Sequence, residues 1–266
     1  MGRDTDDDGD DGPVREDDGR VRDDDGSVPD DIRTGDRSRR AVRATYDEIA
    51  AHFSKTRVNP WPEVESFLEG RTGRLGLDLG TGNGRHAGPL AERVDLVVGV
   101  DASRELLGIA RDRATEEGYA DDLDPVVGDA ARLPIQSSTV DLALYVATLH
   151  HLPSRSLRRE SLSELGRVLA PGGAGLVTAW STAHDRFDAD PEDPEGFDTT
   201  VDWTLPGGET VPRYYHIYAP AEFEADLDAS GLSVERSFVS SGNCYAVVST
   251  DESKGNAHTE RRGSPV

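Results

Sequence analysis

The chain has 266 residues, 52 of them acidic and 29 basic, which gives a formal net charge of −23. This length suits one large domain with tails, and the single cysteine, Cys244, excludes an internal disulfide and a zinc site built from cysteines. The sequence contains neither about 18 consecutive apolar residues nor a signal-peptide pattern, so it predicts a soluble, cytoplasmic protein with no membrane association.

The charge is spread along the whole chain and comes mainly from aspartate. Only Lys55 and Lys254 among the basic residues are lysines. This composition is typical of a halophilic proteome, in which a dense carboxylate surface keeps proteins hydrated at high salt. An acidic interaction tail is the alternative, and it accounts for the N-terminus but not for the acidic residues that follow.

Composition divides the chain into three parts. Residues 1–38 are mostly Asp, Gly, Arg and Ser, too polar to form a core, and are predicted to be a disordered acidic tail. Residues 251–266 resemble them and are predicted to be a second disordered tail. Residues 39–250 remain as one folded domain.

Hydrophobic periodicity predicts the elements of this domain in chain order. Two helices come first, at 40–51 and 63–68. Strands at 75–79, 96–100, 125–128, 140–146 and 174–180 then alternate with helices at 84–93, 103–117 and 155–169. A helix at 220–230 and strands at 233–240 and 243–249 close the domain. The alternation predicts an α/β fold, a Rossmann-like sheet of about seven strands, mostly parallel with an antiparallel last strand, and helices on both faces.

The segment 181–212 is an acidic insertion that is longer than a connecting loop requires. Such loops are usually functional or disordered. We assign it to the substrate side of the domain.

A glycine-rich turn follows the first strand, in the run Leu77-Asp78-Leu79-Gly80-Thr81-Gly82-Asn83-Gly84. Glycines let the backbone turn tightly and approach a ligand closely. An acidic residue two positions before the first glycine is typical of sites for S-adenosylmethionine, because its carboxylate can reach the ammonium of the methionine part. A dinucleotide fingerprint would instead require glycine at position 85, which is arginine. We assign Asp78, Gly80, Gly82 and Asn83 to cofactor binding.

The next strands also end in residues suited to that cofactor. Asp101-Ala102 follows the second strand, where a carboxylate can accept hydrogen bonds from both ribose hydroxyls. Asp129-Ala130 follows the third, within reach of an adenine amino group, and Val146 ends the fourth. Each aspartate alone could be a helix N-cap, but ligands of open α/β sheets bind at the carboxyl ends of strands, where all three acids fall.

Four segments carry a resemblance to a known family: Tyr46 to Arg57 with Trp61-Pro62, Leu77 to Gly84, Ala147 to Leu152 with Arg158-Arg159, and Arg213 to Tyr218. With them the chain resembles the class I S-adenosylmethionine-dependent methyltransferases. More narrowly, it resembles the tRNA wobble-uridine carboxymethyl methyltransferases, which esterify 5-carboxymethyluridine in the anticodon. The resemblance implies S-adenosyl-L-methionine as cofactor, the tRNA anticodon loop as partner, and a small zinc-binding activator subunit. We predict no metal site in this chain.

A carboxylate acceptor is already ionised near neutral pH, so the reaction requires a positioning cation rather than a base. Arg57 and Arg213 are the candidates, because the guanidinium is planar and permanently charged. His150 and His151 follow the fourth strand, where one of them can hydrogen-bond the acceptor carboxylate or the uracil edge. The alternative, which we expect for the other histidine, is that it caps the sheet edge or points at solvent.

Four further residues of the family segments are candidate substrate contacts. Tyr46 and Tyr214 can stack on adenine or on the unpaired wobble base, and His52 and His216 can contact the substrate. Packing is the alternative role for all four.

Two other functions stay open on the sequence alone. The same fold can methylate a small molecule, such as a quinone precursor or a metabolite carboxylate. The other open function is that of a catalytically silent scaffold subunit. The intact set of aspartates and glycines at the predicted cofactor site argues against this function.

Overall fold

The computed structural model describes residues 38–190 and 193–250. The tail predicted at 251–266 lies outside the described residues, as does the tail at 1–38 apart from Ser38. The Ser38 side chain accepts a hydrogen bond from the backbone N–H of Ala41 and so caps the first helix.

Six α-helices and nine β-strands form in the described part of the chain. The helices are α1 (Arg39–Lys55), α2 (Pro62–Leu68), α3 (Ala87–Ala91), α4 (Arg104–Glu117), α5 (Arg155–Val168) and α6 (Pro220–Ser230). The strands are β1 (Leu75–Leu79), β2 (Leu96–Asp101), β3 (Leu123–Val127), β4 (Val140–Tyr145), β5 (Leu169–Trp180), β6 (Phe197–Thr204), β7 (Thr210–Ile217), β8 (Ser233–Ser240) and β9 (Asn243–Ser249). None of the described helices has the length and apolar character required to cross a bilayer.

Seven strands form the main sheet, in the order β3-β2-β1-β4-β5-β9-β8. Strands β1 to β5 run parallel, and β9 is antiparallel to both β5 and β8. The predicted Rossmann-like sheet is confirmed. The strand order reverses between β1 and β4, which is where ligands bind in open α/β sheets.

The two faces of the sheet bury separate apolar clusters because successive side chains of a strand point to opposite sides. On β4, Ala143 and Tyr145 pack with α5 and α6, while Leu142 and Leu144 pack with α2 and α3. Cys244 on β9 is a buried free thiol in the first cluster.

The main difference from the sequence prediction is a hairpin inside the acidic insertion. Strands β6 and β7 pair antiparallel from Phe197 opposite Ile217 to Thr204 opposite Thr210. Aspartates and threonines at the exposed positions conceal an alternation in which Val201 and Trp203 are buried. Several boundaries also differ from the prediction: α1 continues to Lys55, α3 spans only Ala87–Ala91, β3 begins at Leu123 and β5 begins at Leu169.

Candidate active site

Helix α1 and the segment after it lie across the carboxyl ends of the parallel strands and make polar contacts with the turn after each of four of them. After β1, Asn83 donates a 2.8 Å hydrogen bond to the Arg57 carbonyl, and after β2, Ser103 Oγ donates a 2.7 Å bond to Asp47. After β3, Asp129 forms an ion pair with Arg39. After β4, His151 forms a 2.7 Å hydrogen bond with the Tyr46 hydroxyl. The helix therefore forms one wall of the site.

The glycine turn contains two glycines with different physical roles. Gly80 has φ +74°, and a Cβ there would lie 2.1 Å from Thr148 Oγ1. Gly82 has φ +54°, and the nearest atom to a Cβ there is the Gly80 carbonyl oxygen at 3.9 Å. Packing thus requires glycine at position 80, whereas Gly82 borders open space that a ligand can enter.

Asp78 is buried at the end of β1 and accepts a 2.7 Å hydrogen bond from Thr81 Oγ1. Burial raises the pKa of its carboxyl group to about 7, and the hydrogen bond from Thr81 partly opposes this rise. Because the carboxylate lacks a fully compensating charge, a ligand cation placed beside it would favour the ionised form.

Asp101 is held at the end of β2 by two backbone groups. Its Oδ2 accepts from the Gly82 N–H at 2.9 Å, and its Oδ1 accepts from the Ser103 N–H at 2.8 Å. Burial raises the pKa of this carboxyl group, and these bonds lower it. The carboxylate is thereby fixed in orientation, and its oxygens retain lone pairs for ligand hydroxyls.

The other predicted cofactor residues lie along the same edge. Asp129 accepts from the Ala131 N–H at 3.0 Å and pairs with Arg39, and Ala102 and Ala130 are at least partly exposed beside the two acids. Val146 is buried, and the next residue, Ala147, has φ +50°, a strained conformation of the kind found at functional sites.

The two histidines after β4 are neutral, and His150 is buried whereas His151 is partly buried. His150 Nδ1 accepts from the Trp180 N–H at 3.0 Å, and burial lowers the pKa of His150 well below its usual value. His151 Nδ1 lies 2.9 Å from the Tyr214 carbonyl oxygen, so it carries the proton, and Nε2 accepts from the Tyr46 hydroxyl. Burial lowers the pKa of His151 to about 3.

Two arginines share one indole ring beside these histidines. The guanidinium carbon of Arg213 lies 4.7 Å from the centroid of Trp203, and that of Arg57 lies 5.5 Å from it. The Trp203 indole N–H donates to His52 Nδ1 at 3.0 Å. Arg213 is buried. Burial raises the pKa of the nearby Tyr46 hydroxyl well above its usual value, and the charge of Arg213 partly opposes this rise. The arrangement places two permanent cations in aromatic surroundings, which suits an anionic ligand.

Tyr214 and His216 lie on the opposite face of β7 from Arg213. The Tyr214 hydroxyl donates to Asp198 at 2.8 Å, and His216 contacts Asp198 at 2.8 Å and Glu222 at 3.0 Å. The structure thus groups Tyr46, His52, Arg57, His150, His151 and Arg213 together, and it places these two substrate candidates in a separate ionic network.

Sequence reasoning missed two aromatic residues of the site, Trp203 and Tyr215. The Tyr215 ring stacks on Trp180 with centroids 4.6 Å apart and lies 4.9 Å from the His150 ring. Alternate residues of a strand share a face, so Tyr215 lies on the same face of β7 as Arg213. This alternation could have indicated Tyr215 if the strand had been recognised from the sequence.

Comparison with known proteins gives the family. Residues 77–173 match the model of a methyltransferase domain. A tRNA (carboxymethyluridine(34)-5-O)-methyltransferase of Arabidopsis thaliana is 36% identical over 57% of this chain and 35% of its own length. The Saccharomyces cerevisiae protein of the same name is 31% identical over 68% of this chain and 62% of its own. The chain thus spans less than two thirds of either relative.

A third relative covers more of its own length. The "putative methyltransferase ECU09_1500" of Encephalitozoon cuniculi is 34% identical over 67% of this chain and 80% of its own. The chain belongs to the class I S-adenosylmethionine-dependent methyltransferases.

Solved structures agree with this methyltransferase fold. The CcbJ methyltransferase of Streptomyces caelestis superimposes with a TM-score of 0.62 at 20% identity, covering 82% of this chain and all of that one. A complex of the Haloferax volcanii Trm112 methyltransferase activator with "the putative methyltransferase" gives 0.58 at 18% identity, over 79% and 97%.

The residues at the carboxyl edge fit the cofactor of these methyltransferases. Gly82 leaves space beside the turn that a larger side chain would fill. Asp101 is held by two backbone N–H groups and could accept hydrogen bonds from ribose hydroxyls, and the buried carboxylate of Asp78 could receive an ammonium group.

Proposed function

We propose that this methyltransferase esterifies the carboxylate of 5-carboxymethyluridine at the wobble position of tRNA. The observation that carries the proposal is the pair of guanidinium groups, Arg213 and Arg57, which both lie over the Trp203 indole beside the histidines that follow β4. The names of the relatives from Arabidopsis and yeast support the same acceptor.

The chemistry of the site agrees with a carboxylate nucleophile. S-adenosylmethionine supplies a methyl group that passes to a carboxylate oxygen as its bond to sulfur breaks, which leaves a neutral thioether. Arg213 and Arg57 would bind the acceptor carboxylate and orient one oxygen, and their charge persists at every working pH. His151 has both ring nitrogens engaged and a pKa of about 3, so it is poorly suited to act as a base.

Recognition of RNA by a chain with net charge −23 requires contacts other than a broad basic surface. The first turns of α5 do not supply a basic surface, because their arginine side chains pair with Asp226 and Glu222. These arginines are Arg155, Arg158 and Arg159. Aromatic rings offer an alternative, since unpaired bases stack on them even at high salt. A row of rings from Tyr215 through Trp180 and Phe187 to the exposed Phe197 leads out of the site.

The proposal includes an activator subunit and a cytoplasmic location. A neighbouring structure is a complex with the Trm112 methyltransferase activator, and it supports an activator partner for this chain; the family resemblance implies that this partner is small and binds zinc. A tRNA-modifying enzyme would act in the cytoplasm, where its substrate is.

Nucleoside mass spectrometry of bulk tRNA from a deletion strain tests the proposal. We expect the methyl ester nucleoside to disappear and 5-carboxymethyluridine or its derivatives to accumulate. A nucleoside profile identical to that of the parent strain would reject the tRNA acceptor and favour a small-molecule carboxylate.

A further inference from the structure

The side chain of Asn83 joins the glycine turn to the segment that carries Arg57. Asn83 is buried, and its Nδ2 donates to the Arg57 carbonyl oxygen at 2.8 Å and, more weakly, to the Ser54 carbonyl oxygen at 3.4 Å. Because both of these oxygens are acceptors, the NH2 end of the amide must be the end that faces them. The side chain therefore supplies hydrogen-bond donors to the backbone of another segment.

The backbone around Arg57 needs such donors because α1 has just ended. Helix α1 stops at Lys55, and residues 57–61 have no regular secondary structure. Carbonyl groups at a helix end and in an irregular segment lack the partners that a helix or sheet would supply. Arg113 makes a second contact of this kind, to the Val58 carbonyl oxygen at 3.1 Å. Side chains from the cofactor half of the domain thus determine where this segment lies.

The turn that carries Asn83 is itself held in place on both sides. The N–H of Gly82 donates to Asp101 at 2.9 Å, and the N–H of Gly84 donates to the Thr81 carbonyl oxygen at 2.9 Å. Asn83 therefore extends from a fixed backbone, and a displacement of the turn would be passed to the Arg57 segment.

The guanidinium group of Arg57 lies on the acceptor side. Its carbon atom is 5.5 Å from the centroid of the Phe53 ring and 5.5 Å from that of Trp203. One residue thus has its backbone fixed by the glycine turn and its charge placed among the aromatic rings of the acceptor side.

We propose that Asn83 is a positioning residue for methyl transfer, which fixes the Arg57 cation relative to the glycine turn. The inference rests on the proposed role of Arg57 at the acceptor carboxylate. In-line transfer requires the acceptor oxygen and the methyl group to be aligned, and a displacement of about 1 Å can cost about 10²-fold in rate. Asn83 is suited to prevent such a displacement because it contacts the Arg57 backbone directly.

A double-mutant cycle tests whether Asn83 acts through Arg57. The assay measures kcat/KM for an RNA stem-loop that carries 5-carboxymethyluridine, and calorimetry measures the Kd of S-adenosylmethionine. We expect Asn83→Ala to lower kcat/KM about tenfold or more and to change that Kd less than about twofold. In an Arg57→Ala background, the same substitution should lower kcat/KM less than about twofold further.

Two further variants sharpen the cycle. Asn59→Ala removes the same side chain from an exposed position of the same segment, and it is the matched control that should leave both quantities unchanged. Asn83→Gln keeps the NH2 group on a longer side chain, so it should recover part of the lost kcat/KM.

Three results would overturn the assignment. A loss of cofactor affinity as large as the loss of kcat/KM would make Asn83 a cofactor contact. Equal losses of kcat/KM in the two backgrounds would show that Asn83 acts independently of Arg57. An Arg57→Ala variant with unchanged kcat/KM would reject both the acceptor role of Arg57 and the action of Asn83 through it.

Hydrogen–deuterium exchange tests the tether without any RNA. In the wild type, the N–H of Thr56 donates to the Phe53 carbonyl oxygen and that of Arg57 to the Ser54 carbonyl oxygen. These two amides should exchange about threefold faster or more in Asn83→Ala, because the end of α1 opens more often without the side-chain donor. Unchanged exchange would reject the tether. A wild type that methylates no RNA would reject the proposed function instead, and the exchange rates would still decide whether Asn83 holds the Arg57 segment.

Discussion

The buried carboxyl group of Asp78 makes cofactor affinity depend on pH. With a pKa of about 7, roughly 3% of this group is ionised at about pH 5.5 and roughly half at about pH 7. Only the ionised form attracts the ammonium of the methionine part, so a ligand that selects this form should bind about 15-fold more tightly at pH ~7 than at pH ~5.5. The ligand's own amino group stays charged in this window, because α-amino groups titrate near pH 8.

Calorimetry over this pH range measures the effect. Repeating the titration near pH 6.5 in two buffers of different ionisation enthalpy should also show net proton release on binding. Asp78→Asn, which keeps the shape of the side chain, should bind weakly and lose the pH dependence. An affinity that is flat with pH in the wild type, or a slope that persists in Asp78→Asn, would refute the reasoning.

Three further predictions concern the acceptor side and the hairpin. Arg213→Lys keeps the charge but loses the planar fork, so kcat/KM for the acceptor should fall at least about 10²-fold, or about 2.7 kcal/mol, while calorimetry shows cofactor affinity nearly unchanged. With both substrates saturating, kcat should stay flat from about pH 6 to 9, because the acceptor carboxylate is ionised throughout this range. This test requires that product release does not limit kcat. A rise in kcat near pH 7 that His150→Ala or His151→Ala abolishes would instead show a general base. Burial lowers the pKa of His216, but hydrogen bonds to Asp198 and Glu222 outweigh burial and raise this pKa above its usual value. The protonated histidine therefore stabilises the fold fully below about pH 6.5, and this stabilisation is lost as the pH rises through the raised pKa of the folded state. The difference in melting temperature between wild type and His216→Gln should shrink over the same rise in pH.

The main sheet was predictable because its signals are local. The bounds of β1, β8 and β9 agree with the hydrophobic pattern, and the strand that precedes each acid is a short apolar run. The glycine turn was equally visible, since its positive φ angles require a residue type that the sequence displays.

The acceptor side was harder to predict because it depends on long-range packing. Trp203 and Arg213 meet only after β6 and β7 pair, and the aspartates of that segment hid its alternation. The partners of His151, a hydroxyl on α1 and a carbonyl on β7, are distant in sequence and cannot be inferred from its neighbours. Tyr214 and His216 belong to a family-like segment, but the period of two along β7 turns them toward Asp198 instead.

Transfer of a labelled methyl group to a defined RNA tests the proposed function most directly. The purified protein with its activator subunit would be incubated with trideuteromethyl S-adenosylmethionine and an anticodon stem-loop that carries 5-carboxymethyluridine, in buffer of high potassium chloride concentration. The account predicts a trideuterated methyl ester at the wobble nucleoside by mass spectrometry, and none on the same stem-loop with unmodified uridine. Efficient labelling of the unmodified stem-loop would contradict the proposed function. So would the absence of label on both RNAs while the cofactor binds normally.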